Sequence, residues 1–378
     1  MKKICFVASI PFAVNVFLKE NIQRSSKIWI VDVVTNNQNV ELLSDLNNKI
    51  INVNFKRKPA IIEDIHSLFR LIILFYSKKY CLVHSITPKA GFLTILAGYL
   101  TRIPIRIHTF TGQVWSTKTG FIRFILKMFD KIIVILSTHI LVDSPSQLKF
   151  LISEGIIPVH KGIIFGKGSI CGVDLKRFHP NSCTKYLLRK KMGISQDHLV
   201  ILYIGRVNRE KGIIDLSIVF NKVASLKNNV VMVIVGNEED VSFSQIKNIC
   251  SEHSDRLHLV KFSQCPEQYM AMADILCLPS YREGFGQVII EAAACEVPAV
   301  ATDIYGIRDA LEEGITGLLF SLGSIELLEK NLLKLLSDDK LRHQMGKNAR
   351  SRVKKYFSSN EIVYKTVNFY KTLINLNK

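Results

Sequence analysis

Short apolar runs of about four to eight residues alternate along this chain with longer segments in which apolar positions recur every three or four residues. In the first half the runs are KKICFVAS, KIWIVDVVT, YCLVHS, IPIRIHTF and HILVDS, and helical patterns at 61–77, 89–101, 121–131 and 146–154 lie between or after them. A run that is apolar at successive positions suits a strand covered on both faces, and strands separated by helix-length segments pair in parallel. The rhythm breaks at SICGVDLKRFHP (169–180), where Gly172 and Pro180 interrupt it. A second series follows: HLVILYIGRV (198–207), a helix over 212–226, VVMVIVGNE (230–238), a helix near 242–252 and LHLVKF (257–262). It continues with a helix near 267–272, DILCLPS (274–280), a helix near 287–295 and PAVATD (298–303). Amphipathic helices at 324–337, 339–356 and 359–375 close the chain. The pattern predicts an α/β protein of two facing Rossmann-like, doubly wound domains, residues 1–180 and 181–357. Residues 358–378 are expected to form a helix packing back toward the first domain, and the active site to lie in the interdomain cleft.

Composition narrows the function classes. With 378 residues, 48% of them hydrophobic, and only 20 Gly and 10 Pro, the chain is neither disordered nor fibrous. Its eight cysteines (5, 81, 171, 183, 250, 265, 277 and 295) form no C-x-x-C pair or metal-ligand spacing. They read as reduced, small hydrophobes of a cytoplasmic protein. The opening MKKICFVASIPFAV has the look of a secretory signal but runs straight into further α/β pattern, so it reads as a first buried strand. The apolar stretches at 71–76 and 90–100 fall short of the roughly 20 residues that a membrane span requires.

The net charge of +18 is uneven. Residues 1–180 hold 24 Lys and Arg against 10 Asp and Glu, whereas residues 181–378 hold 26 against 22. Much of the excess adjoins apolar helical pattern, in DIHSLFRLIILFYSKKY (64–80), preceded by Lys56, Arg57 and Lys58, and in FIRFILKMFDK (121–131). Basic residues adjoining Phe, Ile and Leu suit an anionic bilayer, each basic residue near the surface contributing about 1 kcal/mol. The alternative is that the stripes are core faces and the charges a solvated exterior. Nucleic acid is not an expected partner, since no aromatic RNA-binding signature, zinc finger or basic helix-turn-helix occurs.

The chemistry concentrates in PSYREGFGQVIIEAAACEVPAV (279–300) and IGRVNREKG (204–212). The first run follows a strand and opens a helix, with Gly284 and Gly286 between Glu283 and Glu291. Glycines there admit a ligand close to the backbone, and N–H groups at a helix start attract phosphate or a polarised sugar oxygen. Glu291 is placed to accept from ribose hydroxyls, as the acidic residue of dinucleotide folds does. Arg206 and Lys211, at the mouth of the second domain's first strand, could neutralise a diphosphate leaving group. Together these residues suggest a nucleotide-diphosphate site. The competing account of the two glutamates, charges that complement a helix dipole, leaves the glycines unexplained.

The spacing E-x7-E after PSYREGFG, with G-R-x4-K-G upstream, resembles the retaining, metal-independent glycosyltransferases of family 4, which have the GT-B architecture. The likeness covers nearly the whole chain and includes VHSITPKAG (83–91), GVDLKRFHP (172–180) and EEGITGLLF (312–320). IHTFTGQVW and DSPSQ are most similar to the enzymes of bacterial O-antigen, capsule and exopolysaccharide synthesis. The resemblance implies that Arg206 and Lys211 clamp the diphosphate, Glu291 holds the ribose and Glu283 contacts the donor sugar as a catalytic residue. It implies backbone contacts from Gly284, Phe285 and Gly286. Where many relatives carry a Gly-Gly loop this chain has SIPFAVN (9–15), and where they carry a histidine it has Thr111, with His108 three residues earlier. His108 and Thr111 are therefore acceptor-side catalytic candidates, and His108 and His84 each read equally as cleft or core residues. TDIYGIRD (302–309) has one glycine, and Asp309 where a Glu is common.

The implied reaction moves a hexosyl or N-acetylhexosaminyl unit, with retention, from a nucleotide-sugar donor to a hydroxyl of an undecaprenyl-diphosphate-linked saccharide. UDP is the commoner nucleotide of that family and GDP its rival. Neither a metal nor another cofactor is implied, and the work is placed at the anionic inner face of the cytoplasmic membrane, with the protein peripherally bound. Alternatives left open by the residues are a same-fold transferase with a soluble acceptor, a nucleotide-sugar epimerase and a non-enzymatic anion-binding protein.

Overall fold

The computed structural model describes residues 1–36, 38, 40–56 and 60–377, so Arg57 and Lys58 of the basic run lie outside the described residues. The chain divides into two units, Met1–Gly172 with Ser359–Lys378, and Val173–Ser358. In the first unit the strands are β1 (Lys3–Val7), β2 (Ile30–Thr35), β3 (Lys49–Asn52), β4 (Leu82–Ile86), β5 (Ile105–Phe110), β6 (His139–Val142) and β7 (Gly162–Ile163). They form one parallel sheet in the order β3-β2-β1-β4-β5-β6-β7. Its helices are α1 (Pro11–Ala13), a π turn at Val14–Leu18, α2 (Lys19–Ser26), α3 (Ile61–Lys78), α4 (Pro88–Leu100), α5 (Gly120–Leu136) and α6 (Pro145–Ser153). The chain's final helix, which we number α15 (Ser359–Leu376), belongs to this unit as well.

The two-residue period of a strand sorts the core. Ile4 and Phe6 of β1 pack with Leu18, Ile22 and the α15 residues Val367 and Tyr370. Cys5 and Val7, pointing the other way, pack with Leu71 and Phe75 of α3 and Ala90 and Leu93 of α4. Both faces of β1 are thus covered, which is why its residues 4–7 are a continuous apolar run. His84 of β4 fastens α15 to the sheet: Nδ1 hydrogen-bonds with the Tyr370 hydroxyl at 2.5 Å and Nε2 with Thr109 Oγ1 at 2.7 Å.

The second unit repeats the plan. Strands β8 (Leu199–Ile204), β9 (Val230–Val235), β10 (Leu257–Val260), β11 (Ile275–Leu278), β12 (Ala299–Thr302) and β13 (Gly317–Phe320) form a parallel sheet ordered β10-β9-β8-β11-β12-β13. Helices α7 (Ser182–Met192), α8 (Ile213–Leu226), α9 (Phe243–Ile249), α10 (Pro266–Met272), α11 (Gln287–Ala294), α12 (Ile307–Ala310), α13 (Ile325–Ser337) and α14 (Asp339–Tyr356) surround it. Val200 and Leu202 face the core shared with α11 and α14, and Ile201 and Tyr203 the core shared with α8 and α13. At the amino ends of β8 and β11, Asp274 takes Arg189 at 2.7 Å, Lys185 at 2.8 Å and the Val200 N–H at 2.8 Å. Burial alone would raise this carboxyl, but the two cations hold it below its ordinary value.

Residues 173–180, expected in the first domain, belong to the second. The Val173 N–H donates to the Phe357 carbonyl at 2.7 Å, Val173 bridges to Ser358, and Phe178 lies in the same core as Phe357. The sequence pattern also passed over β3, β7 and β13, which are outer strands of two to four residues, too short to show a period. Replacing Tyr370 by Phe should leave the buried His84 Nδ1 without its partner and lower stability by about 1–3 kcal/mol in urea unfolding.

Candidate functional site

A doubly wound sheet opens a crevice where its strand order reverses, at the carboxyl ends of the two strands concerned. In the second unit these are β8 and β11. The loops leaving them, 205–212 and 279–286, carry Arg206, Lys211, Glu283, and Gly284 and Gly286 on either side of Phe285. The first loop is shaped by its own side chains. Tyr203 Oη donates to the Arg206 carbonyl at 2.6 Å, and Asn208 Oδ1 accepts from the Lys211 N–H at 2.9 Å, closing the single turn Arg209–Lys211. Gly212 then takes φ 69°, and a Cβ there would overlap the carbonyl of Pro279, so glycine is required for both torsion and clearance.

That clearance brings the loops into contact. Lys211 Nζ forms an ion pair with Glu283 Oε1, to which Ser280 Oγ also donates at 2.9 Å. The Lys211 and Glu283 side chains are only 17% and 14% exposed, so their attraction is weakly screened. The Tyr281 N–H donates to the Glu210 carbonyl at 2.9 Å, and Arg282 Nη2 to Glu210 Oε2 at 2.8 Å. Arg206, in contrast, points to Glu239 at 2.9 Å, and Asn208 Nδ2 donates to the same carboxylate oxygen at 2.8 Å. Glu239 was not singled out by the sequence; its only signal is the GNEED run just past β9.

Beyond Glu283, Gly306 (φ 84°) lies so close to the Gly284 carbonyl that a Cβ would overlap it, which packs the loop after β12 against the glycine run. The Phe285 ring turns into the core, 5.7 Å from that of Phe357, leaving its backbone to serve the loop. Gly286 precedes α11, on which Glu291 accepts from Gln287 Nε2 at 3.2 Å. Burial pushes the Glu291 carboxyl up to about 7, against the lowering effects of Gln287 and Arg177. Asp309 lies in the first turn of α12, and its carbonyl accepts from Arg352 at 2.8 Å.

The first-unit candidates separate. Thr111 directly follows β5 and is partly exposed. His108 is 1% exposed, its Nδ1 3.0 Å from Ser85 Oγ and its ring filling the space a side chain at Gly91 would need. Burial, reinforced by His84, brings its pKa down to about 3, and burial does the same for His84. Both histidines are buried in the sheet, where burial favours their neutral forms. A strand buried on both faces gives no pattern by which sequence could tell the two cases apart. The unit's own strand reversal, between β1 and β4, holds a pair that the sequence reading missed. Ser9 Oγ lies 2.7 Å from Thr87 Oγ1, the Ser9 N–H donates to that oxygen at 3.2 Å, and Thr87 sits at φ 71°. A β-branched residue is strained in that region, and Pro88 beside it was the available signal. Among the described residues no group of three or more His, Cys, Asp or Glu is placed to hold a metal ion.

Two doubly wound parallel units, with cations and carboxylates meeting at a strand reversal, have the architecture of the GT-B glycosyltransferases. Sucrose-phosphate synthase from Thermosynechococcus elongatus has this fold, with a TM-score of 0.81 at 20% identity over 100% of both chains. Anabaena HepE, solved with UDP and glucose, gives 0.81 at 17% identity over 98% of this chain and 100% of that one. Residues 185–352 match the family described as glycosyl transferases group 1, a span that includes Arg206, Lys211, Glu283 and Glu291. The capsular polysaccharide biosynthesis glycosyltransferase CapM of Staphylococcus aureus is 32% identical over 334 residues, 88% of this chain and 87% of CapM. An Escherichia coli UDP-Gal:alpha-D-GlcNAc-diphosphoundecaprenol alpha-1,3-galactosyltransferase is 26% identical over 83% of this chain and 81% of its own. The chain belongs to the group 1 glycosyl transferases.

The raised Glu291 carboxyl has a stability consequence. Between its ordinary value of 4.5 and about 7 the folded protein keeps a proton that the unfolded chain has released. Stability therefore falls as pH rises through that window, by up to roughly 3 kcal/mol. Glu291→Gln should escape this loss, so its thermal midpoint should gain on the parent's from pH 4.5 to 7 and hold the gain above it, in a pH series of unfolding scans.

Proposed function

We propose that the protein moves a sugar, with retention, from a nucleotide diphosphate sugar, UDP-linked, to a hydroxyl of an undecaprenyl-diphosphate-linked saccharide in bacterial surface-polysaccharide synthesis. The observation that carries this reading is the Lys211–Glu283 pair at the β8/β11 reversal, with Arg206 in the same loop. The relatives favour the same donor and acceptor classes: the E. coli enzyme is named for UDP-Gal and a diphosphoundecaprenol-linked sugar. A Campylobacter jejuni relative, 24% identical over 93% of this chain and 92% of its own, is named for a diphospho-undecaprenol acceptor.

In this reading the donor diphosphate displaces Glu239 from Arg206 and loosens Glu283 from Lys211. The cations then face phosphate oxygens, and Glu283 is released toward the hydroxyls of the sugar. Glu291 accepts from the ribose, and the backbone at Gly284, Phe285 and Gly286 lies along the sugar. As the bond between the anomeric carbon and the phosphate oxygen breaks, negative charge grows on the diphosphate, and fixed cations stabilise it more in the transition state than in the ground state. The acceptor oxygen attacks the same face while its proton passes to the departing phosphate oxygen. Arg206 and Lys211 supply the charge that a metal would otherwise provide, as in the family 4 enzymes that the sequence resembles. Thr111, partly exposed where His108 is buried, is the acceptor-side candidate of this reading. The enzyme works from the cytoplasmic side, at the membrane surface where its acceptor is anchored.

The test is nucleotide release from a panel of UDP- and GDP-sugars with an undecaprenyl-diphosphate saccharide, beside donor-alone and soluble-acceptor controls. Lys211→Ala and Glu291→Ala should each slow transfer at least tenfold, equivalent to about 1.4 kcal/mol of barrier. Near-normal turnover in both variants would overturn the assignment, and an epimer formed from donor alone would replace it.

A further inference from the structure

The donor chemistry leaves the segment after β12 unused, although that segment lies along the glycine run on both sides of Phe285. A Cβ at Gly306 would overlap the Gly284 carbonyl, and one at Gly286 would stand 3.4 Å from the Ala310 Cβ. The single-turn helix α12 therefore spans the run, its leading end on Gly284 and its last residue on Gly286. Contacts this close leave the two segments little room to shift independently. Ile307 of α12 is fully buried and lies in the same core as Phe285 and Phe357. Four residues are too few to hold such a turn by their own hydrogen bonds, because the last carbonyls of a helix have no partner within it and short helices are unstable alone.

Arg352 of α14 supplies the partners. Its Nη1 donates to the Ala310 carbonyl at 3.1 Å and its Nη2 to the Asp309 carbonyl at 2.8 Å, so one planar guanidinium satisfies two successive carbonyls in a fixed fork. The same guanidinium lies over the Phe357 ring, its Cζ 4.9 Å from the centroid, and Phe357 is the ring that Phe285 packs against. Arg352 thus reaches the Gly284–Gly286 backbone by two routes, through α12 on one side and through Phe357 and Phe285 on the other. Its side chain is 15% exposed, and its pairing with Glu312, at 3.6 Å, is longer than either carbonyl bond. Arg350, two positions earlier and 19% exposed, donates instead to the Ala294 carbonyl at 3.0 Å. It ties α14 to the last residue of α11, whereas Arg352 ties α14 to α12.

We infer that Arg352 is a positioning residue for the donor sugar, setting the place of the Gly284–Phe285–Gly286 backbone through α12 and Phe357. The inference rests on the donor site proposed above, in which the sugar lies along that backbone. In the same reading the diphosphate and ribose are held by other groups, Arg206, Lys211 and Glu291. Loss of Arg352 should therefore weaken the grip on the sugar and spare the grip on the nucleotide. An arginine that only stabilised the fold would weaken both together or neither.

The test is isothermal titration of the full-length protein with UDP-glucose, UDP-galactose, UDP-N-acetylglucosamine and GDP-mannose, each beside its nucleoside diphosphate. Arg352→Met should bind the nucleotide sugar that the parent binds tightest at least tenfold more weakly, with the matching diphosphate within twofold of the parent. Arg352→Lys, which keeps a cation but not the fork, should show the same sugar-only loss reduced to about threefold, and it gives the answer should Arg352→Met not fold. Arg350→Met should lower the thermal midpoint and leave both affinities unchanged. The amides of Gln287, Ile289 and Arg308, which donate to the Phe285, Gly286 and Ile304 carbonyls, should exchange hydrogen at least tenfold faster in Arg352→Met than in the parent. Equal losses for nucleotide sugar and diphosphate, undiminished sugar binding by the folded Arg352 variants, or unchanged exchange would overturn the inference. A parent that binds none of these nucleotides would overturn the proposed reaction and this role with it, whereas Arg352 variants that bind them as the parent does would count against Arg352 alone.

Discussion

The second unit is organised around a partly buried ion pair between two loops that are far apart in sequence. Lys211 reaches Glu283 because Gly212 lets one loop run against the carbonyl of Pro279, and because Glu210 receives both the Tyr281 N–H and the Arg282 guanidinium. Removing either charge from a pair this poorly solvated leaves the other without compensation, which is a larger loss than the pair's net contribution to stability. The carboxylates on Lys211 and Arg206 also keep the cations oriented. An incoming diphosphate on the proposed pathway exchanges one anion for another and need not order a flexible side chain from solvent.

The same unit separates stability from chemistry along its strands. At the amino ends of β8 and β11, Arg189 is 1% exposed and donates to the Met272, Gln196 and His198 carbonyls as well as to Asp274. Such a fully satisfied network holds α7, α10 and the amino ends of β8 and β11 in one arrangement. At the carboxyl ends the Arg206–Glu239 pair is partly exposed, with side-chain exposures of 40% for Arg206 and 24% for Glu239. The unit is thus rigid where nothing has to bind and exchangeable where the proposed ligand would enter. In the first unit the corresponding division lies between buried histidines that pin α15 and β5 and a strained Thr87 at the strand reversal.

The outward apolar faces of α3 and α5 show why amphipathic pattern alone could not distinguish core from exposed surface. The run at 64–80 is apolar on most sides, and a periodicity argument assigns its stripes to the interior. Only the position of α4 between its neighbours reveals that each helix has one stripe inside and another left over. Arg123 and Lys127 mislead in the opposite sense. Read along the chain they belong to a basic face, but in the fold they close over Trp115 and neutralise Glu154.

What the sequence determined by itself was whatever depends on local period and short-range spacing. The continuous runs at β1, β8 and β9 announced strands buried on both faces, and the alternation of such runs with helices was enough for two doubly wound units. The G-R-x4-K-G and E-x7-E motifs marked the loops at the second reversal, because glycine torsions and charge types are written in the residues themselves. The tertiary structure decided the quantities that depend on distant neighbours. It moved the unit boundary to residue 173, where Val173 meets Phe357, and it enclosed His108 between Ser85 and Gly91. It paired Arg206 with Glu239, 33 residues away, and raised the Glu291 carboxyl toward 7. Burial and electrostatic pairing are properties of three-dimensional surroundings, so a linear order of residues carries them only where the partners are also neighbours in the chain.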